Sequence, residues 1–320
     1  MHFRSVADLN ADVVAWSETL PRDIDVVVGI PRSGMLVATL LGLHMDRPIT
    51  DLIGYTEGRT YLGGRRTRGR HSTTGQHALV VDDSVWSGRA IQEAMAEVEH
   101  SSVAGRTSYG GVYVHDRSSA AQVDHWHAVV PMPRVFEWNV LHHDRLHECC
   151  MDIDGVLCRD PIEEENDDGP AYASFLQDVP ARLIPGEPIG WLVTSRLERY
   201  RPETEAWLRA SGIQYRELLM HPAADGAERR AATDHAKRKA RAYVQTGAWL
   251  FIESDTSQAK EIARRSGKAV YCTDTRQMVQ PSPLAAARRQ FEDLPGLPRR
   301  AAERARGGLG HLRRRFTSAT

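Results

Sequence analysis

Asp82 and Asp83 stand side by side after the apolar run Ala78–Val81, and Ser84, Ser87 and Gly88 follow before Arg89 opens a helical pattern. Ionised carboxylates only accept hydrogen bonds, so this pair suits a partner with hydroxyl donors, such as the two neighbouring hydroxyls of a ribose. The loop Ser84–Arg89 leads into a helix N-terminus, where unpaired backbone N–H groups and the helix dipole favour a phosphate, and Gly88 lets the backbone come close. One segment can therefore hold the diol and the phosphate of a single phosphosugar. A second concentration lies in MDIDGVL, residues 151–157, where Asp152 and Asp154 flank Ile153 ahead of Gly155. Taken alone, two carboxylates at that spacing describe a cation-binding loop or a plain turn.

Such residues need strands that bring them to one edge. Residues 6–20 carry apolar side chains at helical spacing, and DVVVGI (25–30) is a β-branched run suited to a strand buried on both faces. Residues 31–34 turn the chain, and 35–45 read as an apolar helix. Residues 78–81 and 109–114 are further strands with a helix at 89–99 between them, an order that implies a parallel sheet with crossover helices. In such a sheet ligands sit beyond the carboxyl ends of the strands. A second series follows. Strands end at ECCMDID (148–154), GWLVTS (190–195) and AWLFIES (248–254), helices span 203–212, 234–247 and 258–267, and a last strand covers 268–272. The glycines at 212, 247 and 267 read as helix stops. The fold class is α/β, as two tandem domains (1–140 and 141–280), each a mostly parallel sheet flanked by helices, followed by a basic tail, 281–320.

VVDDSVWSGRA resembles the phosphoribosyl-pyrophosphate binding motif of type I phosphoribosyltransferases, and the earlier GIPRSG (29–34) is similar to that family's pyrophosphate loop. The resemblance implies that Pro31, Arg32, Ser33 and Gly34, with Asp82, Asp83, Ser84, Ser87, Gly88 and Arg89, bind phosphoribosyl pyrophosphate. It also implies that Mg2+ on the diphosphate assists the leaving group, while Asp82 and Asp83 steady positive charge on the ring as an acceptor takes the sugar. The family's mobile lid falls at residues 54–76, which here carry Arg59, Arg65, Arg66, Arg68 and Arg70. No acceptor motif is visible. Orotate enzymes of the family use lid lysines, and the first lysine of this chain is Lys237, which counts against ordinary orotate salvage.

Asp-x-Asp-Gly at 152–155 resembles the first motif of the haloacid dehalogenase superfamily, with three further motifs in order behind it. The resemblance implies Asp152 as nucleophile, Asp154 as general acid and base, and Thr194 (alternate Ser195) as phosphate ligand. It implies Lys239 (alternate Lys237) as the motif lysine and magnesium held through Asp152, Asp154 and Glu253. FIESD (251–255) departs from the usual paired aspartates, since Ser254 separates Glu253 from Asp255. The insertion between the first two motifs reads as too short for a full cap domain, and its acidic run EEENDDG (163–169) as a solvated loop. The tandem resembles phosphoribosyltransferase–phosphatase fusions linked to bacterial surface polysaccharides. This resemblance implies transfer of 5-phosphoribose to an acceptor that the sequence does not identify, a glycan or lipid carrier being one candidate, followed by removal of the 5-phosphate. The alternatives are a salvage enzyme with an independent phosphatase, and a phosphosugar-binding sensor.

Composition sets the frame: 320 residues, 41% apolar, 26% charged and a net charge of −1, against a general nucleic-acid binder. No apolar run is long enough to span a membrane and no signal peptide is read at the start, and Cys149, Cys150, Cys158 and Cys272 lack metal-ligand spacing, so a reducing cytoplasm is expected. The tail holds nine arginines against three acids. It reads as a solvated extension, with an acidic protein or an anionic membrane surface as the alternative partner, and self-association into a homo-oligomer is left open.

Overall fold

The computed structural model describes residues 1–59, 76–103, 105–226, 228 and 235–292. Four of the five lid arginines, Arg65, Arg66, Arg68 and Arg70, and the tail beyond residue 292 lie outside them. The chain divides into two compact units, Met1–Trp138 and Asn139–Thr320.

In the first unit the elements run β1 (His2–Arg4), α1 (Val6–Ser17), β2 (Ile24–Gly29), α2 (Gly34–Met45), β3 (Ile49–Asp51), α3 (Leu52–Thr56), β4 (Gln76–Val85), α4 (Arg89–Glu99), β5 (Gly105–Val114), α5 (Arg117–Ala120), β6 (His125–Val129) and β7 (Arg134–Phe136). Five strands form a parallel sheet in the order β3-β2-β4-β5-β6, and β1 pairs with β7. Both faces of the sheet are covered. Val27, Leu79 and Val81 pack with Leu9 and Val13 of α1 and Val37 and Leu41 of α2. Val26, Val28 and Val80 join Ile91 and Ala94 of α4 on the other side. Each fully buried valine contributes about 1.5–3 kcal/mol of transfer free energy, which is why DVVVGI could only be an interior strand.

The strand predicted over 78–81 runs on to Val85. Asp82 lies in register with Gly111 and Ser84 with Tyr113, so the acidic pair belongs to the ladder and not to a turn beyond it. The extension has a partner because β5 is also longer than its apolar core. Its Gly111 passes so close that a Cβ there would meet Val85 Cγ2 at 2.6 Å.

The second unit runs β8 (Cys149–Met151), α6 (Pro170–Asp178), β9 (Ile189–Leu197), α7 (Arg201–Ala210), β10 (Tyr215–His221), α8 (His235–Gln245), β11 (Leu250–Glu253), α9 (Thr256–Ser266), β12 (Val270–Cys272), β13 (Gln277–Val279) and α10 (Pro283–Glu292). The sheet order is β10-β9-β8-β11-β12-β13, parallel except where β13 turns back on β12. Cys150, Val193, Phe251 and Val270 pack with Tyr243 of α8 and Ile262 of α9. The strand β10 escaped the sequence reading because YRELLMH mixes charge with apolar residues, as an edge strand can. The acidic run is ordered at its end: Asp167 accepts from the backbone N–H groups of Gly169 and Tyr172 at the start of α6, and Asp168 pairs with Arg199. The first part of the basic tail forms α10, close enough to α9 that a Cβ on Gly267 would meet Ala285 O at 2.5 Å. Among the described residues no helix is long and apolar enough to cross a membrane.

Candidate functional site

In the first unit, β2 ends at Gly29 and the chain turns through Ile30–Ser33 before α2 begins. The Pro31–Arg32 peptide is cis. Gly34, the last residue of GIPRSG, lies against β4: a Cβ there would stand 2.5 Å from Val81 O and 3.2 Å from Asp82 Cα. Any larger residue would push the loop off the strand. Ser33 Oγ donates to Asp83 Oδ1 at 3.0 Å. GIPRSG and the acidic pair, about fifty residues apart in the chain, thus meet at the carboxyl edge of neighbouring strands.

The two carboxylates have different surroundings. Asp83 is buried, and its other oxygen, Oδ2, accepts from the indole N–H of Trp138 at 2.7 Å. The Trp138 ring is stacked on Phe136 at 4.8 Å between centroids, and Phe136 is stacked on Tyr113 at 5.4 Å. Arg134 is buried nearby. Burial lowers its pKa, and the negative charge of Asp83 opposes that. Asp82 is half-buried and lines a cavity of about 140 Å³ with Ser84, Trp86, Ser87, Gly88, Arg89 and Ile91. Burial, and then the charge of Asp83, push Asp82 well above the usual carboxylate range.

Gly88 opens α4 in left-handed backbone, φ 74°, and has no side chain to cap the helix, whose first N–H, that of Arg89, makes only a long bond to Ser87 Oγ at 3.4 Å. A Cβ at Gly88 would stand 1.5 Å from Gln122 Oε1, so both its backbone and its surroundings demand glycine. The cavity therefore has an uncapped helix N-terminus on one side and a carboxylate on the other. Arg89 is exposed and its guanidinium turns to Glu93 one helical turn on, at 2.8 Å. Arg59, the one lid arginine described, hydrogen-bonds Glu57. Pro31 and Arg32 are exposed beside Ser33.

In the second unit the expected residues also converge at the carboxyl edge of the sheet. Lys239 on α8 is buried, and its Nζ donates to Asp152 Oδ2 at 2.5 Å and to Glu253 Oε2 at 2.8 Å. Of the two lysines weighed, Lys239 reaches Asp152, while Lys237 is exposed. Burial lowers the Lys239 pKa, but the charges of Asp152 and Glu253 outweigh it and hold it above its ordinary value. Burial, then the charge of Asp152, raises Glu253 to about 8 against the opposing pull of Lys239. Thr194 is buried and its Oγ1 accepts from the backbone N–H of Arg196 at 3.2 Å, while Ser195 Oγ meets His235 Nδ1 at 3.0 Å.

Asp154 is half-buried and has a cationic partner. Arg196 grips it through Nε at 3.1 Å to Oδ2 and Nη2 at 2.7 Å to Oδ1. Arg196 is fully buried, over the Trp207 ring at 5.4 Å. Sequence reasoning missed it. Its signal was position: in LVTSR it is two residues after Thr194, on the same face of β9.

The metal set expected here does not fit these surroundings. Glu253 Oε2 is taken by Lys239 and Oε1 accepts from the N–H groups of Ser254 and Asp255, while the Asp154 carbonyl receives Ser254 Oγ at 3.3 Å. Among the described residues no group of three or more His, Cys, Asp or Glu side chains is placed to hold a metal ion.

No protein-family profile matches the chain. It is 31% identical over 129 residues to the transcriptional regulator GfcR of Halobacterium salinarum, a match covering 37% of this chain and 58% of the regulator. The chain thus spans somewhat more than half the length of that curated relative. Among solved structures it is similar to a Helicobacter pylori xanthine-guanine-hypoxanthine phosphoribosyltransferase (18% identity, TM-score 0.34, 43% of this chain and 93% of that one). It is also similar to a purine phosphoribosyltransferase from Pyrococcus horikoshii (18%, 0.33, 43% and 92%) and to an orotate phosphoribosyltransferase from Aeropyrum pernix (15%, 0.28, 39% and 71%).

Proposed function

We propose that the first unit binds phosphoribosyl pyrophosphate and transfers its 5-phosphoribosyl group to an acceptor. The observation that carries this reading is the meeting of GIPRSG with the acidic pair, through Gly34 against Val81 and Ser33 against Asp83. The bond from the anomeric carbon to pyrophosphate breaks, a bond to the acceptor's nucleophilic atom forms, and the acceptor's proton leaves to solvent. The uncapped N-terminus of α4 holds the 5-phosphate, Asp82 takes a ring hydroxyl, and the loop 31–34 receives the diphosphate. A magnesium ion carried on the diphosphate would make pyrophosphate a better leaving group.

The second unit then acts on the phosphorylated product. Asp152, beside the Lys239 ammonium, attacks phosphorus as the bond to the sugar's 5-oxygen breaks; that oxygen takes a proton from solvent, and water then hydrolyses the aspartyl phosphate to free phosphate and Asp152. Thr194 orients the ester. The test is a paired assay on the full chain. Asp152→Asn is expected to release pyrophosphate and accumulate a 5-phosphorylated product, while Gly34→Val loses pyrophosphate release but still hydrolyses an added phosphoriboside. A dephosphorylated product from Asp152→Asn, at wild-type yield, overturns the coupled scheme.

A second reading is favoured by the similarity to a transcriptional regulator. In it the first unit binds the activated sugar without turning it over and reports its presence. Saturable binding with no pyrophosphate released across purine, pyrimidine, glycan and lipid acceptors selects this reading.

A further inference from the structure

The adjacent acids invite a symmetrical assignment, each taking one hydroxyl of the sugar. The geometry points instead to a division of labour: we infer that Asp82 alone faces the sugar, and that Asp83 is a positioning residue which fixes the diphosphate-binding loop. This rests on the reading of the first unit as a phosphoribosyl pyrophosphate site.

Three observations carry it. Asp82 lines the cavity and Asp83 does not. The side chains at 82 and 83 leave opposite faces of β4. Both Asp83 oxygens already have donors from its own unit, Ser33 Oγ on Oδ1 and Trp138 Nε1 on Oδ2. Those donors come from separate places in the chain. Ser33 is the N-cap position of α2, at the end of the loop, and it carries no capping hydrogen bond of its own. Trp138 is set by its stack on Phe136 and Tyr113, and Tyr113 is itself anchored through its hydroxyl to Asp12 on α1. Asp83 therefore ties the loop after β2 to β4 and to an aromatic wall, with Gly34 pressed against Val81 O beside it. A carboxylate bonded on both oxygens is held in one rotamer, and through Ser33 it holds the backbone that would meet the diphosphate.

The sign of one substitution separates this role from a direct contact. Asp83→Asn removes a negative charge near a polyanion site, which by electrostatics alone tightens anion binding. Its amide oxygen can still accept from Trp138, but its N–H₂ then donates to Ser33 Oγ, so the serine hydroxyl must turn its own proton away and the charge-assisted bond to the loop is lost. If Asp83 positions the loop, affinity falls. Calorimetry on the full chain with magnesium uses two probes, inorganic pyrophosphate and ribose 5-phosphate. The expected result for Asp83→Asn is about tenfold weaker pyrophosphate binding, the scale of one charge-assisted hydrogen bond, with ribose 5-phosphate within twofold of wild type. Trp138→Phe keeps an aromatic ring against Phe136 and removes the N–H donor together with the second ring of the indole. It should weaken pyrophosphate by a smaller factor in the wild-type background and not at all in Asp83→Asn, and it answers the question if Asp83→Asn does not fold. Weaker ribose 5-phosphate binding with pyrophosphate unchanged or tighter overturns the inference and leaves the site standing. Absence of binding of both probes by the wild-type chain overturns the site itself.

Discussion

The two units place acidic residues at the same topological position, the carboxyl edge of a parallel sheet, and surround them differently. In the first unit Asp83 meets neutral donors, a serine and an indole, and Asp82 keeps an open side toward a cavity. In the second, Asp152 and Glu253 share a buried ammonium and Asp154 is clasped by a buried guanidinium. The first arrangement leaves acceptor capacity for the hydroxyls of a ligand. The second is an ion-pair network made before any ligand arrives, with cations in place where phosphoryl chemistry would need them. Fold topology set the location of both sites, and the donors around the carboxylates set what each can do.

The sharpest way to break the contrast is to remove the second unit's cation. Lys239→Met leaves Asp152 and Glu253 facing each other in a buried site, and the second unit is expected to lose about 3–5 kcal/mol, read as an earlier denaturant transition. The transition of the first unit should not move. Equal losses in both would show that the two folding units are not separate. The next effect belongs to the first unit. Gly34→Ala places a methyl 2.5 Å from Val81 O, and relieving that overlap costs about 1–3 kcal/mol and displaces the loop. Pyrophosphate release should fall at least about tenfold while phosphate-ester hydrolysis is retained.

A smaller effect concerns pH. Glu253 is raised to about 8 in the folded chain, well above its unfolded value. Its folded form binds a proton that the unfolded form has lost, so stability declines as pH climbs from the unfolded value toward about 8. Glu253→Gln should flatten that decline, measured as midpoint temperature between pH 5 and 9. An unchanged slope in Glu253→Gln assigns it to another group. Asp82, raised well above the usual carboxylate range by burial and by Asp83, gives the first unit a decline of the same sign, which Glu253→Gln leaves in place.

Much of this arrangement was legible in the sequence, because buried parallel strands and glycine-marked loops announce themselves locally. GIPRSG, VVDDSVWSGRA and MDIDG each sit where a strand gives way to a loop or reaches the sheet edge, and the three strands were read from unbroken β-branched and apolar runs. The illegible part was non-local. Trp138 lies 55 residues from Asp83, and nothing in RVFEW marks its indole as a donor to a carboxylate. Arg196 looked like one more arginine in an arginine-rich chain until the fold buried it against Asp154, 42 residues away. The extension of β4 through Asp82–Ser84 was hidden for a related reason. Polar residues read as the end of a strand, and only the partner β5 decides that the ladder continues.

The central claim is that the cavity beside Asp82 and the N-terminus of α4 is a phosphosugar site. The most direct measurement is a calorimetric titration of the full chain with phosphoribosyl pyrophosphate and magnesium, repeated on Asp82→Asn and Gly88→Val. One saturable site in the wild-type chain, weakened about tenfold or more in each variant, is the expected result. No saturable binding at millimolar sugar, or binding that neither substitution diminishes, contradicts the account.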